Sequence, residues 1–175
     1  MEQLTGQDCS FCHKKTLTLS EDKKEIPYFG NVYIFSMTCS NCKFHKSDVE
    51  AEDHKDPCKI TYTIEKEKDM KIRVVKSSTA TVKIPQMRLS VTPGPASIGY
   101  ISNIEGVLKK FEDIIEQQRD NAEENSDKKS AKNLLKKMRK VKLGDVSVKL
   151  VIEDPSGNSA IISEKTVIEK LNVKK

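Results

Sequence analysis

The residues best suited to chemistry in this chain are its cysteines. Four of the five fall into two pairs, Cys9-Ser10-Phe11-Cys12 and Cys39-Ser40-Asn41-Cys42. Each pair is a C-x₂-C knuckle, and 26 residues separate them. Two knuckles at this distance supply the ligands of a closed zinc site, with four thiolates around a d¹⁰ cation that has no geometric preference of its own. The alternative is two unrelated thiol pairs or a disulfide framework, which has to satisfy the same two spacings by accident. Cys9, Cys12, Cys39 and Cys42 are therefore the expected metal ligands, holding one structural zinc. His13, His45 and His54 become candidates only if a cysteine fails. Cys58 follows Pro57 and is left unpaired. It reads as a small half-buried residue rather than a nucleophile, because no histidine–acid constellation accompanies it. All three histidines precede residue 55, so residues 59–175 have none with which to build a second metal site.

The elements that must position these cysteines are legible in part. Lys14 to Ser20 alternates apolar and polar side chains, the period of a half-buried strand. Asn31 to Thr38 (NVYIFSMT) is a second strand, rich in β-branched and aromatic residues, and runs straight into the second knuckle. Knuckle, strand, loop, strand and knuckle make a zinc ribbon. So small a sheet depends on its metal, which supplies about 10 to 16 kcal/mol in small zinc-finger peptides. The loop Ile26-Pro27-Tyr28-Phe29-Gly30 carries three large apolar groups besides its proline. It either packs on the neighbouring domain or forms an exposed partner-binding tip around Pro27, Tyr28 and Phe29. Lys14, Lys15, Lys43 and Lys46 flank the knuckles and either offset the anionic centre or form a solvated surface.

Composition narrows the classes. In 175 residues, 33% are charged and 36% hydrophobic, with no tryptophan. A chain of this length holds a small metal module and one domain of about 110 to 140 residues. No apolar run approaches the roughly 18 residues of a membrane span, and the first ten residues lack the pattern of a secretory signal. A cytoplasmic location, where thiols stay reduced, is expected. The net charge of +5 is unevenly spread. Residues 1–50 carry 6 basic and 7 acidic groups, residues 104–127 carry 3 and 8, and residues 128–142 carry 8 and none. A tetrathiolate zinc adds a formal −2 to a module that is already slightly acidic, which weighs against a ribbon that reads nucleic acid.

From Lys59 the pattern turns to short strands at roughly ten-residue spacing: Ile60–Ile64, Met70–Val75, Ala80–Ile84 and Met87–Val91. This is the signature of a β-sandwich or barrel rather than of βαβ units. Thr92 to Ser97 (TPGPAS) reads as a turn; it could form a phosphate nest, but no P-loop lysine accompanies it. A helix is expected from Ser102, with Glu105 completing a capping box. Its apolar face is Ile104, Val107, Leu108, Phe111, Ile114 and Ile115. Arg119 to Asp127 reads as a turn, and a second helix follows with Ala131, Leu134, Leu135 and Met138 inward. The first arm of this hairpin is acidic and the second basic, so the arms can attract each other. Lys132, Lys136 and Lys140 in the basic arm are the candidate polyanion-binding residues, although basic helices without interleaved aromatics are mostly solvated faces. Asp145–Ile152 is a strand, Asp154–Ser159 a turn, and Ala160–Ile162 the start of a return strand. Asp154 and Ser159 make no catalytic triad, having no histidine beside them.

Taken together, the two knuckles, residues 26–50, TPGPASIGYISNIEGVLKKFEDII (92–115) and LGDVSVKLVIEDPSGNSAII (143–162) resemble the ZPR-type zinc-finger proteins over about residues 9–165. The chain has one copy of the module that eukaryotic members carry in tandem, and so looks like the single-module archaeal form. The resemblance implies an α+β, mostly β fold: an N-terminal four-cysteine zinc ribbon at 1–50, then a double-stranded β-helix, jelly-roll-like domain at 51–175 with an inserted α-helical hairpin at about 102–141. It implies the same four zinc ligands. It also implies a role as chaperone or adaptor for the GTP-binding translation elongation factor one-alpha, and the closed four-cysteine site with no catalytic constellation makes that role a non-enzymatic one. The runner-up is a nucleic-acid or ribosome-associated zinc ribbon using residues 128–142. Lys43-Phe44 departs from the family's usual glycine and aromatic after the last cysteine. The single module also prevents a two-handed mechanism from being carried over directly.

Overall fold

A computed structural model of the chain describes residues 1–26, 30–52 and 55–171. Four strands form an antiparallel meander at the N-terminus: β1 (Glu2–Gln7), β2 (Leu17–Ile26), β3 (Gly30–Cys39) and β4 (His45–Ala51). The sequence indicated only the middle two strands. β1 (EQLTGQ) and β4 (HKSDVEA) show no alternating apolar face; they are edge strands that add to the sheet through backbone pairing rather than burial. The first knuckle joins β1 to β2 and the second joins β3 to β4. Because Leu17 pairs with Cys39 in register, the two knuckles meet at one end of the sheet.

The second region contains β5 (Cys58–Ile64), β6 (Arg73–Lys76), β7 (Thr81–Ile84), β8 (Leu89–Val91), β9 (Tyr100–Asn103), β10 (Val148–Asp154), β11 (Ala160–Ile161) and β12 (Val167–Lys170). They form two sheets, of order β12-β5-β10-β7-β8 and β11-β6-β9. This is the expected two-sheet, jelly-roll-like arrangement. Alternation dictates the core: Ile60, Tyr62 and Ile64 of β5 and Val148, Leu150 and Ile152 of β10 point the same way and are all buried. Met70 lies in a short 3₁₀ turn (Glu67–Lys71) rather than in β6. The Asp69 carboxylate holds that turn by accepting from the amides of Glu65 and Lys66, and the strand starts only at Arg73.

The helical hairpin is α1 (Ile104–Asn121) followed by α2 (Asn125–Lys142). The capping box at Ser102 does not form. Ser102 is still paired to Val74 within β9, and the cap is Asn103, whose side chain accepts from the Gly106 amide at 2.8 Å. Nor is Arg119–Asp127 a turn. Its Arg, Gln and Asp residues are polar but compatible with helix, and only residues 122–124 lie between the helices. Ile104, Val107, Leu108, Phe111 and Ile115 are buried as expected, whereas Ile114 is 38% exposed. On α2 the buried residues are Ala131, Met138 and Val141, with Leu134 and Leu135 half-buried against the core.

The ribbon and the β-rich region share a small second core. Ile26 and Val32 of the ribbon are buried with Val75, and Ile34, Val49, Ile101, Ala160 and Ile162 pack around them. Ile26 thus packs on the neighbouring region as one reading of its loop required, while Pro27, Tyr28 and Phe29 lie outside the described residues. Gly99 lies tight against the ribbon: its amide donates to Asp48 Oδ1 at 2.6 Å, and a Cβ there would collide with the Val49 carbonyl oxygen.

Candidate metal centre and partner surfaces

The two knuckles are near copies of each other. His13 N–H donates to the Cys9 carbonyl and Lys43 N–H to the Cys39 carbonyl; Cys9 N–H donates to the Lys14 carbonyl and Cys39 N–H to the Phe44 carbonyl. The residue after each second cysteine, His13 at φ 55° and Lys43 at φ 63°, adopts the left-handed conformation. Lys43 is the position where the family resemblance calls for glycine, and the turn is kept despite the side chain. Lys14 Nζ donates to Asn41 Oδ1 at 3.1 Å and the Ser40 amide donates to the Thr16 carbonyl, tying one knuckle to the other.

These turns bring all four thiols together. Cys9 Sγ lies 3.7 Å from Cys42 Sγ and Cys12 Sγ lies 3.7 Å from Cys39 Sγ, and all four sulfurs fall within 4.8 Å of one another. Ligands on a tetrahedron with Zn–S bonds of about 2.3 Å sit about 3.8 Å apart, so the spacing fits a zinc ion and is far longer than a disulfide bond. Cys9 and Cys39 are buried, Cys12 half-buried and Cys42 exposed. The amide of Cys42 and the hydroxyl of Thr16 both reach Cys39 Sγ and hold its thiol down at about 6. Cys42 accepts a favourable contact from the Phe44 amide, but partial desolvation of its sulfur and the three neighbouring thiols push it up to about 12. Four thiols this close resist joint ionisation, and a divalent cation removes that conflict. Among the described residues no histidine belongs to the cluster: His45 Nδ1 instead bonds the Thr38 hydroxyl at 2.9 Å. His54 lies outside the described residues. An aromatic pair, missed in the sequence, caps the knuckles: the rings of Phe11 and Phe44 sit 4.4 Å apart, with Phe11 68% exposed.

The other candidate residues occupy separate places. Lys132, Lys136 and Lys140 recur every four positions on α2 and are exposed. Among the described residues none of the three forms an ion pair, and one pair, Lys142 to Glu112 at 2.6 Å, joins the two arms. The arms are thus joined by an ion pair, as their opposite charges allow, while Lys132, Lys136 and Lys140 stay outside it. Cys58 is half-buried on β5, and burial and then the Asp154 charge raise its thiol, which suits an inert residue. Asp154 and Ser159 are bonded, with the hydroxyl donating to Oδ2 at 2.6 Å. Both are buried. The carboxylate also accepts from Thr79 and from the Ser156 amide and hydroxyl. This cluster clamps the β10–β11 turn to the loop before β7.

A four-thiol finger ahead of a β-rich domain with a helical hairpin defines the class: a zinc-finger domain followed by a jelly-roll domain. The ZPR1 zinc-finger domain matches residues 2–54 and the ZPR1 jelly-roll domain residues 68–175. This chain belongs to the ZPR1 family. It is 38% identical over 165 residues to an uncharacterized ZPR1-like protein of Methanocaldococcus jannaschii, covering 94% of this chain and 83% of the relative. A second ZPR1-like protein, from Pyrococcus horikoshii, is 37% identical over 175 residues, covering 98% and 78%. The zinc finger chaperone zpr1 of Schizosaccharomyces pombe is 29% identical over 140 residues, which is 78% of this chain and 30% of that protein. The eukaryotic relatives carry the names of zinc finger proteins or chaperones, and among the described residues no helix is long and apolar enough to cross a membrane.

Proposed function

We propose that this chain is a non-enzymatic, zinc-stabilised protein-binding factor of the chaperone type, acting in the cytoplasm, with translation elongation factor one-alpha as its partner. One observation carries the scaffold part of this reading: four thiols converge, and among the described residues no other metal-binding group joins them. In this reading Cys9, Cys12, Cys39 and Cys42 all bind one zinc ion. With four protein ligands the ion has no open position for a substrate. It acts by holding the knuckles, and through them the ribbon at about residues 1–50, in shape. The chaperone name of the fission-yeast relative supports a protein partner, and the family resemblance supports the elongation factor. Contact would fall on the ribbon, including Pro27, Tyr28 and Phe29, and on the hairpin. The test is capture of purified elongation factor one-alpha on the immobilised protein, with and without GTP. Specific retention is expected; no retention in either state overturns the partner assignment.

A second reading is favoured by the exposed basic stripe on α2, whose Lys132, Lys136 and Lys140 form no ion pair among the described residues: binding of RNA or another polyanion. It predicts affinity that falls steeply with salt and is lost when Lys132, Lys136 and Lys140 are all changed to Glu. RNA retention unchanged in that triple variant would end it.

A further inference from the structure

Away from the zinc site, a pocket of about 400 Å³ opens between α1, the start of β9 and the TPGPAS loop. Its floor is apolar, built by Val82, Val91, Val107, Phe111 and Ile98. Two lysines face it. Lys76 is only 5% exposed; its ammonium donates to the Ser77 carbonyl at 2.8 Å and, at 3.4 Å, to the Ser97 hydroxyl. Lys110, on the exposed side of α1, sits 4.6 Å from the centroid of the Tyr100 ring, and Lys76 sits 5.7 Å from the same ring. Among the described residues neither lysine makes an ion pair. The nearby carboxylates are already engaged. Asp113, at the rim, pairs with Lys109 at 2.8 Å, Asp48 accepts from the amides of Val49 and Gly99, and Asp154 is held by its serine and threonine donors. Burying a lysine without a carboxylate is costly, and burial lowers the Lys76 pKa even with Asp154 and Asp48 acting on it from a distance. An anion supplied from outside would offset that cost, and cation–π contacts to Tyr100 already hold both ammonium groups in place to receive it.

We propose that this pocket docks a segment of a protein partner in which a large apolar side chain stands next to a carboxylate, the side chain filling the apolar floor and the carboxylate bridging Lys76 and Lys110. The charge balance selects an acidic group, and the apolar floor selects against a bare ion. The proposal rests on the protein-binding reading above, but it adds a site lined by the jelly-roll region rather than by the zinc ribbon.

The probe is N-acetyl-phenylalanine, which carries both an aromatic body and a carboxylate, compared with its uncharged amide. Each is titrated into the intact, zinc-loaded protein and followed by amide chemical shifts. N-acetyl-phenylalanine should shift Lys76, Ser97, Tyr100 and Lys110 in a saturable way, with the amide at least fivefold weaker. Lys110→Gln, an exposed change that leaves folding intact, should weaken the acid about three- to tenfold and leave the amide unaffected. Lys76→Met, close in shape, should do the same provided its spectrum stays folded. Acetate alone should bind more weakly than the full probe. Equal binding of acid and amide, shifts centred elsewhere, or an unchanged affinity in Lys110→Gln would each overturn the proposal. If the probe fails while the elongation factor is still retained, the pocket is wrong and the partner reading stands. Probe binding without retention has the opposite meaning.

Discussion

At the position after each knuckle the backbone has φ above +50°, a region that costs an ordinary L-residue about 1 kcal/mol or more. Lys43 meets that cost where the family resemblance calls for glycine, and it recovers some of it by donating from Nζ to the Ser40 carbonyl. Lys43→Gly should therefore keep the zinc and change stability by no more than about 1 kcal/mol. Lys43→Val, β-branched and unable to make that bond, should be clearly destabilising; thermal melts of the zinc-loaded variants decide this. Asp154 is a second residue-scale test. Burial alone would raise its pKa, but the hydroxyls of Ser159, Ser156 and Ser77 hold it below its ordinary 3.8. Its folded pKa is thus the lower one, so its contribution is complete above about pH 4 and is lost as pH falls through the folded value. Asp154→Ala strands several buried donors and should cost about 3 kcal/mol at neutral pH. The variant's stability should also depend less on pH in the acid range. Equal acid dependence in the two proteins would contradict this account of the buried cluster.

At the scale of elements, what was legible followed burial and what was missed followed pairing. The C-x₂-C spacings, the alternation in β5 and β10 and the apolar face of α1 all reflect side chains that must leave water, so the sequence declares them. β1 and β4 are held by backbone hydrogen bonds at sheet edges and leave no such pattern. The start of α1 shifted by a residue because Ser102 has a strand partner, which spacing alone does not reveal. Lys76, Tyr100 and Lys110 are brought together from three elements, and no local motif marks them. The DPSGNS turn shows the same thing in reverse: its composition declares a turn, while its reason lies in donors near residue 77. The junction between ribbon and jelly roll was legible only at Ile26, whose loop offered it as a packing residue. It turns on Gly99, where a methyl group would collide with the Val49 carbonyl. Gly99→Ala should push β4 away from β9 and expose Val75 and Ile26, seen as faster amide exchange in β4 and β9 while the β5–β10 pair stays protected. Uniform protection in the variant would contradict the tight contact.

At the scale of the whole molecule, the proposed function makes the cysteines that draw attention first a support and puts the working surfaces elsewhere. The ribbon has a small core of its own, the thiol cluster with Leu17 and a few half-buried neighbours. In the proposed reading, metal and the seat on β6, β9 and β11 together keep it folded. The jelly roll has an extended core and needs no metal in this account. Cys39→Ser should therefore release the zinc and loosen β1 to β4, leaving the β-rich region folded. The central claim is that the zinc holds a protein-binding surface in shape. It is tested most directly by measuring, by calorimetry, the affinity of purified elongation factor one-alpha for the zinc-loaded protein and for Cys39→Ser. Saturable one-to-one binding by the former and loss of at least tenfold in affinity by the latter is the predicted result. Undiminished binding by the zinc-free variant, or none by the intact protein, would contradict it.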